Sequence, residues 1–214
     1  MVIPIYDTDP LDKGGRGYVN WAIMAICVVV FLIQQGGSDL TDSLMIRNFA
    51  LYPVVLFGGA ETGAPFPSAL TLLTYMFLHG GWLHLIVNMI VLWSFGRGLE
   101  PVMGAFRFVV LYLVAGVLAA LAHGFVNDLS NVILIGASGA IAGVLGAAVV
   151  AAPRLPVIFV IFPMPLWIAV IALVALHVAA IMFDWDPEIA WHAHLAGLAA
   201  GALLYPLLRR RSAV

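Results

Sequence analysis

Apolar residues along the chain come as six long runs, roughly 18–35, 70–96, 106–126, 138–152, 164–183 and 190–208, rather than at the spacing of a one-sided helix or strand. A run that is apolar on every side for about 20 positions is the pattern of a membrane-spanning helix. Residues 1–17, MVIPIYDTDPLDKGGRG, are rich in Pro, Gly and charge and hold no apolar core, so they read as a short cytosolic tail and not as a secretory signal. Residues 36–69 mix Gly, Pro and acids with short apolar pieces such as NFALYPVVLF. A connection of that length is long enough to be functional, and its mixed character predicts amphipathic structure dipping into the interface. Gly80-Gly81 interrupts the second run and predicts an interfacial segment that leads into the true span near Trp82. The fourth run, about 15 residues at 1.5 Å rise, falls short of the ~30 Å of bilayer hydrocarbon. It is predicted to sit in the bundle centre with one end in a water-filled cavity, where a short helix is tolerated.

Charge orients these runs. With the N-terminus cytosolic and six spans, Lys13, Arg16, Arg97, Arg107, Arg154, Arg209, Arg210 and Arg211 lie inside and only Arg47 outside. That split obeys the positive-inside rule, and five or seven spans would scramble it. Asp39, Asp42, Glu61, Asp128, Asp184, Asp186 and Glu188 fall in the outer loops. The predicted fold is an all-α bundle of six transmembrane helices with a short central fourth helix. It forms one membrane domain over 18–208, with cytosolic tails at 1–17 and 209–214. Composition agrees: of 214 residues, 64% are apolar and 9% charged, against about a quarter charged in soluble domains. A net charge of -2 and the single Cys27 exclude a nucleic-acid binder and a disulfide scaffold. No internal repeat appears, and no Asp, Glu, Lys or Arg lies mid-span, which counts against transporters, carboxylate proton relays and voltage sensors.

The candidate functional residues within the runs are His79, His84, Asn88, His123, Ser138, His177, His192 and His194. His84 and Asn88 are four apart and share one helix face, whereas His79, near the Gly80-Gly81 break, points elsewhere and is expected to brace the outer end. His192 and His194 lie about 160° apart on a helical wheel, so only one can face the core. Gly197 and Gly201 lie on the side of His194. Gly139 with Gly143, and Gly197 with Gly201, each make a GxxxG pattern, and two such faces that meet would bring Ser138 to His194. Ser138 opens the short fourth helix, where free N–H groups favour a developing anion and where a plain N-cap is the simpler role. His84 and Asn88 could donate to an oxyanion, or merely join two helices. His177 stands alone in an apolar run and is expected to be a packed residue satisfied by a neighbouring carbonyl or hydroxyl. His123 is expected at the interface. The six histidines show neither HExxH nor an i, i+4 His pair, so no metal is expected.

FLHGGWLHLIVNMIVLWSFGRGLE (Phe77 to Glu100), GASG (Gly136 to Gly139) and AHLAG (Ala193 to Gly197) resemble, in order, the signature blocks of the rhomboid family of intramembrane serine proteases. The resemblance covers about 70 to 210. It implies a Ser–His dyad with Ser138 as nucleophile and His194 as general base, His84 and Asn88 at the oxyanion hole, and His79, Gly136, Gly139, Gly197 and Gly201 in support. It implies no cofactor, and as partners the lipid bilayer and membrane-protein substrates with helix-destabilised spans. Two positions depart from the family pattern: the first outer loop has Arg47-Asn48-Phe49 without the frequent Trp-Arg pair, and Ala142 stands where an aromatic often packs on the catalytic His. A proteolytically inactive relative that binds membrane clients, and a small channel or transporter, are the competing readings. The short tails and the lack of a transit-like leader favour a bacterial inner membrane.

Overall fold

Residues 2–4, 17–59, 67–127, 132–159, 161–186 and 189–210 are described by the computed structural model. Most of both expected tails, with Lys13, Arg16 and Arg211, lies outside the described residues, as do Glu61, Asp128 and Glu188.

The chain opens with a short strand β1 (Val2–Pro4) and then helix α1 (Tyr18–Gly36). The expected outer loop carries two helices, α2 (Asp39–Phe49) and α3 (Pro53–Leu56). Ser38 caps α2, its Oγ accepting from Thr41 N–H at 3.3 Å. The loop is anchored rather than loose: Leu51 pairs by its backbone with Leu134, at 3.1 and 2.9 Å, and Thr74 Oγ1–H donates to the Phe49 carbonyl at 2.7 Å. A one-turn helix α4 (Thr71–Thr74), flanked by tight turns, forms the segment that precedes Gly80-Gly81, and α5 (Trp82–Met103) starts directly after that break.

The expected inner connection over 97–105 is a sharp corner instead. Helix α5 runs on to Met103, and α6 (Ala105–Val126) begins one residue later, so Gly104 alone turns the chain, at φ 88°. A Cβ at Gly104 would also lie 2.6 Å from Arg210 Nη2. Glu100, expected in that connection, is therefore buried inside α5. Its carboxylate accepts the N–H groups of Val19 at 3.1 Å and Asn20 at 2.7 Å. Free N–H groups and the positive dipole end of α1 explain why an acid is tolerated there.

Helices α7 (Ser138–Ala151), α8 (Leu166–Met182) and α9 (Trp191–Leu208) complete the bundle. Between α7 and α8 lies a hairpin of β2 (Pro156–Phe159) and β3 (Phe162–Pro165), and β1 adds antiparallel to β2. The fold is mostly helical, as expected; this small sheet is an addition to it, and the fifth helix starts at 166 rather than 164. By length and composition α1, α5 and α6 can each cross a membrane, while α7 and α8 are shorter apolar helices.

α7 occupies the centre, with Gly139 to Ile141 and Gly143 to Ala148 buried. Glycine makes this possible on its α9 side. A Cβ on Gly197 would run into the Gly139 carbonyl, one on Gly201 into the Gly143 carbonyl, and one on Gly146 into the Leu198 carbonyl. On the α6 side, a Cβ at Gly139 would lie 2.7 Å from Ala119 Cβ. Backbone therefore packs on backbone, the close approach that small residues permit between apolar helices. Large side chains such as Leu83, Phe106 and Leu207 stand exposed on the outside of the bundle.

Candidate active site

The turn before α7 positions its first side chain. Gly136 N–H donates to the Tyr75 carbonyl at 2.9 Å, and Gly136 holds φ 111°, a conformation costly for any residue with a Cβ. The N-cap of α7 is Ala137, without a side-chain cap bond, so Ser138 is the first helical residue and not the cap. Its hydroxyl is instead turned across the seam: Ser138 Oγ and His194 Nε2 are 2.8 Å apart. The meeting of the two glycine faces sets that distance, since each lets its helix lie close enough for a one-turn side chain to reach.

Helix α5 supplies the next wall. The His84 ring lies against Gly136, where a Cβ would be 2.6 Å from Cε1 and 2.7 Å from Nε2. His84 Nδ1 accepts the Gly80 N–H at 3.4 Å, which leaves its proton on Nε2, the nitrogen on the Gly136 side. One turn along, Asn88 is buried and its Nδ2 donor has no partner. A buried orphan donor costs stability unless it serves something else. Asn88 lines, with Ser138 and His194, a cavity of about 240 Å³ whose other walls are mainly aliphatic side chains of α5, α7, α8 and α9. Ala142 lines it as well.

His79 is fully buried outside this cavity. Its backbone braces α1: Gln34 Nε2–H donates to the His79 carbonyl at 3.0 Å, and His79 N–H donates to Gln34 Oε1 at 3.3 Å. Its ring meets the His84 ring edge-on at 5.2 Å between centroids. His192 does not line the cavity. His123, expected at the interface, is buried, and its Nε2–H donates to the Val132 carbonyl at 3.1 Å, tying down the connection ahead of α7. Among the described residues, no three His, Cys, Asp or Glu side chains cluster as a metal-holding group.

His177 departs most from expectation. It does bond to a neighbouring carbonyl, Leu173 O at 2.8 Å from Nδ1. Its other nitrogen, however, lies 3.2 Å from His194 Nδ1, and its ring stands edge-on to Trp191 at 5.0 Å. Sequence reasoning missed this contact because nothing local links two histidines 17 residues apart on different helices. The available signal was general: an ionisable residue within an apolar span is functional by default.

The rhomboid domain family model matches residues 67–211. Rhomboid protein 1, mitochondrial, of Saccharomyces cerevisiae is 32% identical over 142 residues, 64% of this chain and 41% of that protein. Rhomboid protease GluP of Bacillus subtilis is 34% identical over 138 residues, 63% of this chain and 25% of that protein. The human presenilin-associated rhomboid-like protein, mitochondrial, is 34% identical over 134 residues, 58% of this chain and 34% of that protein. The matched region thus spans less than half the length of each of these relatives.

Proposed function

Because the chain belongs to the rhomboid family, an integral membrane family that includes proteases, we propose that it is a serine endopeptidase cutting other membrane proteins within or beside their spans. The observation that carries this reading is the 2.8 Å contact of Ser138 Oγ with His194 Nε2 beside an apolar cavity. His194 takes the Ser138 proton as Oγ attacks a peptide carbonyl of the substrate. The tetrahedral oxygen is stabilised by His84 Nε2–H, the orphan Asn88 Nδ2–H and the Ser138 N–H at the start of α7. His194 then protonates the leaving amine, and water hydrolyses the acyl-enzyme.

In this reading six helices cross the bilayer and both termini lie on the cytosolic face of a bacterial inner membrane. Pairing of β1 with β2, on either side of α1, α5, α6 and α7, supports an even number of crossings between them. Substrates are spans weakened by Gly or Pro, since a helix must unwind before its backbone carbonyl reaches Ser138, with a small residue at the cut.

The test needs no known substrate. A fluorophosphonate probe, which marks activated serines, should label the detergent-solubilised protein, and Ser138→Ala and His194→Ala should each abolish labelling. Labelling that survives Ser138→Ala would overturn the assignment, and a folded but unlabelled wild type would favour a client-binding protein without activity.

A further inference from the structure

The hydrogen bonds around His194 form one directed chain. The Leu173 carbonyl can only accept, so His177 Nδ1 carries a proton and donates to it at 2.8 Å. With both rings neutral, His177 Nε2 is then an acceptor. His194 Nδ1, 3.2 Å away, must carry its own proton and donate. That leaves His194 Nε2 bare, and the Ser138 hydroxyl, 2.8 Å away, donates its proton to it. The tautomer a general base needs is thereby selected from three residues and one carbonyl.

We propose that His177 is the positioning residue of the site: it holds His194 in the Nδ1–H tautomer, aims its Nε2 at Ser138, and accepts from Nδ1–H when His194 becomes the imidazolium. This rests on the Ser138–His194 reading and deepens it. In serine hydrolases with three such residues a carboxylate accepts the Nδ1–H bond. Here a neutral imidazole does so, itself polarised by the Leu173 carbonyl. Burial and the edge-on contact with Trp191 fix the His177 ring, so the acceptor is pre-oriented. The His177 contact supports the His194 ring on the α8 side, and Ser138 meets it on the α7 side. A neutral acceptor is weaker than a carboxylate.

His177→Phe keeps a ring against Trp191 and removes the acceptor; His177→Gln places an amide oxygen near the position of Nε2. Both are compared with wild type and Ser138→Ala by the concentration dependence of fluorophosphonate labelling, which separates maximal rate from affinity. Loss of one hydrogen bond predicts a maximal rate roughly tenfold lower in His177→Phe, with unchanged affinity, and recovery to within about threefold of wild type in His177→Gln. Imidazole nitrogen NMR should show the Nδ1–H form of His194 in wild type and a tautomer mixture in His177→Phe. A wild-type rate in His177→Phe, or a His177→Gln as slow as His177→Phe, would overturn the proposal. Failure of the underlying reading looks different: labelling persists in Ser138→Ala, while the NMR still reports whether His177 holds the His194 proton.

Discussion

Two of the neighbours of α9, the helices α7 and α8, are held against it in opposite ways. Against α7 it packs backbone to backbone, with Gly197 and Gly201 on the carbonyls of Gly139 and Gly143. Against α8 it meets long side chains across the cavity, and the bonded contact is between two imidazoles. α8 buries only Leu166, Ala169, Val170, His177 and Ala180 and exposes Trp167, Ile171, Leu176 and Met182. The seam gives Ser138 and His194 one fixed separation, as a reacting pair requires. The looser side leaves room beside them, as a bulky substrate requires. The contrast shows how a bundle of apolar helices can be rigid where bonds are made and open where a chain must enter.

Breaking the seam should have the largest effect. Gly201→Val places a Cβ against the Gly143 carbonyl, and overpacking between two helix backbones should cost about 3 kcal/mol or more. Thermal unfolding in detergent should drop sharply and labelling should vanish with it, whereas an unchanged midpoint would mean that the seam is not tight.

Between the two regions stands Asn88, on the cavity wall. Asn88→Ala removes an orphan donor, so stability should hold or rise slightly. The labelling rate should fall about a hundredfold if Nδ2–H serves the oxyanion. A full rate would return Asn88 to a packing role.

The smallest effect belongs to the loose side. Ile171→Ala, at a position 60% exposed on α8, should shift stability by less than about 0.5 kcal/mol and leave the labelling rate alone. A loss comparable to that of Gly201→Val would mean that α8 is anchored as firmly as α7, and the comparison would fail.

The periodic features were legible before any coordinates. Apolar runs locate helices because the bilayer rewards length and uniform hydrophobicity, and the GxxxG spacing of 139/143 and 197/201 marks the faces that meet because an i, i+4 pair shares a side. The short run at 138–152, too short to face lipid on every side, became the buried α7. The break at Gly80-Gly81 was also readable, since paired glycines end a helix.

Contacts between distant parts of the chain were not. Glu100 looked like a loop acid because its partners, the N–H groups of Val19 and Asn20, lie about 80 residues back. β1 looked like a tail because its partner β2 lies beyond the helices α1 to α7. His177 looked inert because its meaning depends on where α8 sits relative to α9. By itself, then, the sequence determined where the long apolar helices lie, which of their faces are small enough to meet, and that Ser138 and His194 occupy those faces. Only the tertiary structure decided what caps α1, what closes the sheet and what holds the far side of the His194 ring. Local spacing encodes the face of a helix, whereas a hydrogen bond between helices depends on their relative placement, which no single segment contains.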